Sequence, residues 1–393
     1  MAGFDSLLWL LLPLAAVSGW YFAHIEYKKR IAEVDYKLSA NYIKGVNFLL
    51  NEQPDKAIDF FVKILEVDNE SVDIHLALGS LFRQRGEVDR AIRIHQNLIA
   101  RPNLNDSFRE QALLDLAKDY MSAGLFDRVE GICLELVDNN IENIPALGLL
   151  RDVYEQEKEW FRCVDVARKL QNYSGQSQHI LVSQYYCELA EQAMRNGDFP
   201  QRQRMLDRAI TESADCGRAL IIQGNVAKES GSYEQAISYY QQLELVQSQY
   251  LPEIYASLVE CYEALGRRQD MLVYLRALLE RCHGVELLLI LARQIKVAIG
   301  VKAALDFVGV EVSVRPSLRG VSCLLELELE YCGERRQYTG PVKLAVDRLL
   351  ENKPVYKCLS CGFAGVSMHW QCPSCKRWVT VQPIQEFQWG ASI

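Results

Sequence analysis

Two matching stretches between residues 38 and 98 constrain the fold more than any other feature of this sequence. In each copy a glycine is followed three residues later by a phenylalanine and, nine residues further on, by an alanine. The pairs of matched positions, each 34 residues apart, are Gly45 and Gly79, Phe48 and Phe82, Ala57 and Ala91, and Ile64 and Leu98. Small residues at this spacing let two helices cross closely, and the aromatic ring fills the space beside the crossing. Because one such hairpin cannot bury its own apolar face, the pattern predicts a stack of hairpins.

A period of 34 residues is typical of the tetratricopeptide repeat, a helix-turn-helix unit. Glycines that fit the turn inside each repeat continue along the chain, and the last three intervals between them are 34, 35 and 34 residues. These glycines are Gly86, Gly124, Gly197, Gly231, Gly266 and Gly300. Residues 318–331 and 342–350 still follow a helical pattern. The sequence therefore predicts an all-α superhelical solenoid over residues 38–351, with eight or nine repeats.

The first 25 residues predict a membrane anchor helix. Ser6 to Ile25 contains no charged residue, and twenty helical residues span about 30 Å, the thickness of a bilayer's hydrocarbon core. Lys28, Lys29 and Arg30 follow the apolar run, so the positive-inside rule places the rest of the chain in the cytoplasm, after a charged neck at residues 26–37. A cleaved signal peptide is the alternative, but no basic residue precedes the apolar run, as such a peptide requires.

Four cysteines near the C-terminus predict a metal site within a small module at residues 352–393. Cys358 and Cys361 form one CxxC pair, and Cys372 and Cys375 form a second pair after ten intervening residues. Four thiolates at this spacing can converge tetrahedrally on zinc or on a single iron. Since the protein supplies all four ligands, no position is open for water activation. The flanking aromatic residues are expected to shield the metal: Tyr356, Phe363, Trp370 and Trp378.

The remaining eight cysteines are scattered through sequence that is predicted to be helical. Buried thiols that act as small hydrophobic residues are the expected role, and this favours a reducing compartment. The chain carries a formal net charge of −8. An acidic chain is a poor candidate for binding nucleic acid, which needs clustered Lys and Arg.

A repeat array of this kind predicts protein partners, because stacked helix pairs form an extended binding surface. A basic cluster in the second repeat is a candidate docking patch, with a solvated helix face balanced by Glu87 and Asp89 as the alternative. The cluster consists of Arg83, Arg85, Arg90 and Arg93. The histidines have no catalytic partners nearby in sequence and are expected to be structural: His75, His95, His179 and His283. We therefore predict that the protein is not an enzyme.

Together these features resemble the lipopolysaccharide assembly protein B family of Gram-negative bacteria. The resemblance covers the anchor ending at residues 19–21, the repeat segments at residues 45–50 and 85–96, and the four cysteines with their neighbours. It implies an inner-membrane adaptor that brings the deacetylase LpxC to the protease FtsH and so limits lipopolysaccharide synthesis. It also implies a link to the export machinery, and a rubredoxin-like module that holds iron. Lys376 departs from rubredoxins proper, which have glycine there.

Two other classes of function remain as alternatives at this point. A membrane-tethered electron-transfer protein would use the same four cysteines to hold a redox-active iron. A nucleic-acid-binding zinc ribbon would use Lys357, Lys376 and Arg377, against the acidic charge of the chain. The sequence leaves open whether the protein is a monomer or a homodimer, and whether it senses a lipid.

Overall fold

The computed structural model describes residues 53–67, 71–332, 338–351 and 353–384, together with the separate residues 21, 44, 47 and 48. The chain divides after Lys158 into two compact units. The predicted anchor lies outside the described residues apart from Tyr21, and so do the neck and the last nine residues. In the part of the chain that is described, no helix is both long enough and apolar enough to cross a bilayer.

The described part of the first unit is a run of helices in which successive helices pack side by side. Their bounds are α1 Pro54–Val67, α2 Val72–Gln84, α3 Val88–Ile99, α4 Asp106–Ser122, α5 Phe126–Asn139 and α6 Ile144–Glu157. The side chains of Asn105 and Asn143 cap α4 and α6 by accepting hydrogen bonds from Ser107 N–H and Ala146 N–H. The helical pattern that the sequence predicts is confirmed here.

The second unit continues with helices and ends in a small sheet. The helices are α7 Trp160–Ser174, α8 His179–Arg195, α9 Phe199–Glu212, α10 Gly217–Glu229, α11 Tyr233–Gln247, a 3₁₀ helix Ser248–Glu253, α12 Tyr255–Ala264, α13 Arg268–Cys282, α14 Val285–Ala298, α15 Val301–Val314, α16 Leu318–Cys332 and α17 Thr339–Leu350. The strands are β1 Tyr356–Cys358, β2 Ala364–Gly365 and β3 Val381–Pro383, which pair antiparallel in the order β2-β1-β3. The two helices predicted beyond Gly300 correspond to α16 and α17.

All six predicted turn glycines adopt a backbone conformation with positive φ. Their φ angles lie between +68° and +123°, a range that a residue with a Cβ adopts only with strain. Lys158, which follows the end of α6 at a position where the sequence offers no turn glycine, also has a positive φ, of +60°. The prediction that these glycines mark turns is therefore confirmed, and Lys158 is a substitute that the sequence pattern does not reveal.

The small residues of the repeat allow the close helix crossing that the sequence predicts. A Cβ on Gly79 of α2 would overlap the His95 ring of α3, and a Cβ on Gly224 of α10 would overlap the Tyr240 ring of α11. Ala57 and Ala91, the other small positions of the first two repeats, are fully buried. An aromatic or imidazole ring therefore fills the volume that each glycine leaves free.

A buried charge network joins three successive helices in the first unit. Asp119 of α4 is fully buried, and its two carboxylate oxygens lie 2.5 Å from His95 Nδ1 on α3 and 2.6 Å from Arg83 Nη1 on α2. Arg83 also donates to the Asp115 carbonyl oxygen at 3.1 Å. A buried carboxylate is tolerated only when it is paired in this way, so the network fixes the register of α2, α3 and α4.

The crossing at Gly224 gives a test of the packing. We expect Gly224→Ala to destabilise the protein by about 1–3 kcal/mol, because the added methyl group must displace the Tyr240 ring. The matched control is Gly148→Ala in α6, where a Cβ meets nothing within 4 Å, and where alanine should stabilise the helix by about 0.5–1 kcal/mol. Urea unfolding of each variant measures both effects. Equal shifts for the two variants would contradict the close crossing.

Candidate metal centre

Two short loops bring the four predicted cysteines together. Cys358 ends β1, and Cys361 follows in a turn in which Gly362 N–H donates to the Cys358 carbonyl at 3.0 Å. In the second loop Lys376 N–H donates to the Cys372 carbonyl at 2.9 Å, so in both loops the bond joins residues four positions apart. The two CxxC segments thus form the same kind of turn and face one another.

The sulfur atoms have the spacing of a tetrahedral four-thiolate site. Cys358 Sγ lies 3.8 Å from Cys375 Sγ, Cys361 Sγ lies 3.7 Å from Cys372 Sγ, and all four sulfurs lie within 4.8 Å of one another. A tetrahedral ion with metal–sulfur bonds of about 2.3 Å requires sulfur–sulfur edges of about 3.8 Å. The four thiols therefore fit one metal ion, and zinc and iron both accept this donor set.

The residue after each CxxC segment adopts the left-handed conformation. Gly362 has φ +78° and Lys376 has φ +59°. Glycine adopts this conformation readily at position 362. At position 376 the Cβ of lysine makes the same conformation strained, at a cost of about 1–2 kcal/mol. The departure from rubredoxins at Lys376 therefore leaves the loop geometry unchanged and makes the second loop less stable.

Hydrogen bonds favour the thiolate form at two of the four cysteines, whereas burial raises the pKa of Cys372 to about 11. Burial acts to raise the pKa of Cys358, but a hydrogen bond between its sulfur and the Thr380 hydroxyl and those from the backbone N–H groups of Cys361 and Ser360 outweigh it and lower the pKa to about 6. The backbone N–H of Phe363 likewise lowers the pKa of the Cys361 thiol. A metal ion at this site would thus meet at least two thiols that lose their protons readily.

The module's own apolar core is very small. It consists of the buried residues Cys358, Cys372 and Val381, with Tyr356 and Phe363 packed against them. The prediction that the flanking aromatic residues surround the metal is confirmed for these two. A core of this size cannot stabilise a fold alone, so the module depends on the metal and on the helices beside it.

For Trp378 and Trp370 the structure corrects that prediction, because both rings pack on the helical array. The Trp378 ring packs nearly perpendicular to both Trp160 and Tyr185, which are stacked on each other, at centroid distances of 6.0 and 5.8 Å. The Trp370 ring lies 4.9 Å from the Tyr250 ring. Edge-to-face and tilted aromatic pairs of this kind add to the gain from burial. We call the array residues that receive the two tryptophans the module seat.

Arg218 completes the module seat. Its guanidinium carbon lies 5.6 Å from the centre of the Trp370 ring, and only 3% of the residue is exposed. The guanidinium donates to Glu188 and Glu191 of α8 at 2.8 Å each. Because the guanidinium is desolvated, the cation–π contact with Trp370 is stronger than it would be at an exposed site.

Two polar contacts fix the sheet of the module to the 3₁₀ helix of the array. Tyr356 OH donates to Glu253 Oε1 at 2.7 Å, and burial raises the pKa of the Glu253 carboxyl group. Tyr250 OH donates to the Val379 carbonyl at 3.4 Å. Val379 is a β-branched residue at φ +57°, a strained conformation that persists only where the surroundings impose it. Sequence reasoning missed this docking, since its partners lie more than a hundred residues away.

The predicted docking arginines occupy different environments. Arg83 is committed to the buried Asp119 pair, with 17% of its side chain exposed. Arg85 pairs with Asp55 and Glu87. Arg90 also pairs with Glu87, and Arg93 is exposed. The solvated face with acidic counter-charges is therefore present at Arg85 and Arg90, and partner binding by the four arginines stays a prediction.

The histidines lie in local contacts. His75 Nδ1 lies 2.7 Å from the Ser71 carbonyl, and His283 Nδ1 lies 2.9 Å from the Leu279 carbonyl. His179 Nδ1 lies 3.3 Å from Glu212 Oε2 at an exposed position. His95 contributes to the buried Asp119 network. Each contact joins the histidine to its own helix or to a neighbouring one.

Comparison with known proteins agrees with this architecture. A model of a rubredoxin metal binding domain matches residues 356–383, and tetratricopeptide repeat models match residues 74–120 and 187–252. Lipopolysaccharide assembly protein B of Escherichia coli strain K12 is 35% identical over 381 residues, which covers 96% of this chain and 98% of the relative. The Haemophilus influenzae protein of the same name is 33% identical over 389 residues, with the same coverage.

Among solved structures, a crystal structure of MamA matches 43% of this chain and 94% of its own chain, with 15% sequence identity. Its TM-score is only 0.34, and we base no argument on it.

The fold and the four-sulfur site define a tetratricopeptide-repeat protein with a rubredoxin-like metal module. Given its identity to the two curated relatives, the chain belongs to the lipopolysaccharide assembly protein B family.

The two left-handed loop positions allow a direct test of the module's stability. We expect Lys376→Gly to stabilise the metal-bound module by about 1 kcal/mol, because glycine removes the backbone strain. Gly362→Ala is the matched control and should destabilise it by a similar amount, since a Cβ there meets nothing within 4 Å and only the backbone conformation is penalised.

The measurement is the chelator concentration that removes half of the metal from the full chain. A change of about 1 kcal/mol moves this midpoint about fivefold, upward for Lys376→Gly and downward for Gly362→Ala. If Lys376→Gly releases its metal as easily as the unaltered chain, strain at this position is not what limits the loop.

Proposed function

We propose that the protein is a non-catalytic adaptor, anchored in the inner membrane with its bulk in the cytoplasm, that regulates lipopolysaccharide biosynthesis. It does so by bringing the LpxC deacetylase to the FtsH protease. The observation that carries the proposal is the docking of the metal module on the array through Trp370 and Trp378. A metal that holds the docked module in shape also shapes the surface on which protein partners bind.

The closed donor set supports a structural role for the metal. Cys358, Cys361, Cys372 and Cys375 would supply all four ligands, so a bound ion has no free position at which to activate water. When bound, the ion would hold the two loops together and thereby orient the tryptophans that follow them. Tyr185, Tyr250 and Arg218 hold the module in place through their contacts with the two tryptophans.

The partners are proposed from the family and from the sequence. The curated relatives carry the name lipopolysaccharide assembly protein B, and repeat arrays bind other proteins. The uncharged run from Ser6 to Ile25 and the basic residues after it support a single membrane span with the array on the cytoplasmic side. An adaptor between a cytoplasmic enzyme and a membrane protease needs this placement.

A second candidate function is electron transfer by an iron-loaded module. It is favoured by the exposure of Cys361 at the edge of the site, beside Leu359, which is 70% exposed. An exposed ligand next to an exposed apolar side chain offers a short path to a redox partner. Reversible bleaching of a visible iron–thiolate absorption on reduction would support this function, and full activity of a zinc-loaded chain would exclude it.

We expect Trp378→Ala to detach the module and to abolish adaptor activity while the four cysteines remain. Trp378 is half-buried, and its removal loses the area it buries on Trp160 and Tyr185 together with two edge-to-face contacts of about 0.5–1.5 kcal/mol each. The measurement is the half-life of the deacetylase in a Gram-negative host that lacks its own homologue. The control is Tyr338→Ala, because that aromatic ring is 74% exposed. A normal half-life with a protease-sensitive, detached module would contradict the proposal.

We further expect Cys361→Ser to lose the metal and to reduce partner capture to a similar extent, since three thiolates no longer close the site. Metal content and co-purification of the two partners are measured on the same membrane preparation. Cys332→Ser on α16 controls for the removal of a thiol and should keep both properties. Normal capture by a metal-free Cys361→Ser chain would show that the module is dispensable.

A further inference from the structure

Two thiols outside the metal module lie in contact in the second unit. Cys187 is in the middle of α8, and Cys216 is the residue that precedes α10. Their sulfurs lie 3.8 Å apart, although the residues are 29 positions apart in sequence. Cys187 is fully buried, and Cys216 is 3% exposed. Two helices therefore bring a pair of cysteines to van der Waals contact beside the module seat.

The surroundings distinguish the two sulfurs chemically. The hydrogen bond from Cys187 is the largest cause of a lowered pKa at Cys216, which falls to about 6, and the Ala219 N–H of the helix start acts in the same direction. Gln184 Nε2 donates to Cys216 Sγ at 3.6 Å. Burial raises the pKa of Cys187. Cys216 is thus the nucleophilic thiolate of the pair, and Cys187 is the neighbouring thiol that can resolve an oxidised Cys216.

We propose that Cys187 and Cys216 are a redox-sensitive modification site that forms a reversible disulfide. The oxidant is a hydroperoxide, a small molecule, and the buried Cys216 directly follows the exposed loop residues Ala214 and Asp215. This site is separate from the four metal-binding cysteines and does not depend on the adaptor function proposed above.

The reaction proceeds in two balanced steps. The Cys216 thiolate attacks the hydroperoxide, so that a sulfur–oxygen bond forms, the oxygen–oxygen bond breaks, and the leaving alkoxide or hydroxide takes a proton from water. The Cys187 sulfur then attacks the sulfenic acid sulfur, a sulfur–sulfur bond forms, and the sulfur–oxygen bond breaks. The released hydroxide takes the Cys187 proton and leaves as water. Two electrons pass from the two sulfurs to the peroxide, and a dithiol returns them.

The geometry allows bond formation with a small movement. The sulfurs must approach from 3.8 Å to about 2.05 Å. Cys187 is held in the middle of a helix, whereas Cys216 follows the short turn that begins at Ser213 and lies ahead of the first turn of α10. The movement therefore falls on Cys216 and its loop.

The disulfide would act on the module seat. Tyr185, which contacts Trp378, is two residues before Cys187, and Arg218, which contacts Trp370, is two residues after Cys216. A covalent link between these positions ties the two receiving helices together. We expect the oxidised chain to unfold at a higher temperature than the reduced chain and to protect the module better from proteolysis.

The experiment treats the full-length, metal-loaded chain with hydrogen peroxide, blocks the free thiols under denaturing conditions, and maps the peptides. The expected result is a linked Cys187–Cys216 peptide that disappears after treatment with dithiothreitol. In Cys187→Ser we expect Cys216 to accumulate as a sulfenic acid that dimedone traps. Cys261→Ser, which removes a different buried thiol on α12, should still give the linked peptide.

The wild-type map decides the proposal even if a variant fails to fold. Recovery of both thiols unmodified, at a peroxide dose that oxidises the metal-binding cysteines, would overturn it. Independent oxidation of Cys216 to a sulfinic acid, with Cys187 still free, would overturn it as well. A linked peptide that forms equally in Cys261→Ser and is absent from Cys187→Ser would establish the site.

Discussion

The docking of two tryptophan rings on a helical array is the interaction on which the metal module of the second unit depends. The module contributes only three buried residues to its own core, so it gains stability from the metal and from the array together. The four convergent sulfurs determine the conformation of the two loops. The loops in turn orient Trp370 and Trp378, whose rings pack into the module seat. Metal coordination and docking are therefore consecutive steps of one assembly, and loss of the first removes the geometry that the second needs.

The docked module also changes which surfaces are free for partners. A repeat array offers apolar and aromatic positions along its helices, but in the second unit Tyr185 and Tyr250 are fully buried. That face is covered by the chain's own module. What remains exposed around the metal is the edge that carries Leu359 and Val366, both about 70% exposed. Partners that approach the second unit from this side would therefore meet the outer surface of the module.

Local sequence patterns predicted the features that depend on residues close together in the chain. The four metal-binding cysteines and the six turn glycines were found because each role requires one residue type at a fixed spacing. The turn at Lys158 escaped prediction, since a non-glycine residue took the strained conformation. The Trp378 contacts and the Arg83–Asp119 pair escaped for another reason. They join residues far apart in sequence, and neither a tryptophan nor an arginine shows locally whether it faces solvent, metal or a distant helix.

The cysteines show how far environment decides the role of one residue type. Five of the eight array cysteines are buried, as predicted for small hydrophobic residues, and the other three are half-buried. Burial alone raises the pKa of Cys133 to about 12 and leaves it inert. Cys216 is as deeply buried, yet a helix start, a neighbouring thiol and the Arg218 cation favour its thiolate. The same thiol group therefore fills a core, closes a metal site or reacts, according to the hydrogen-bond donors and charges that the fold places around its sulfur.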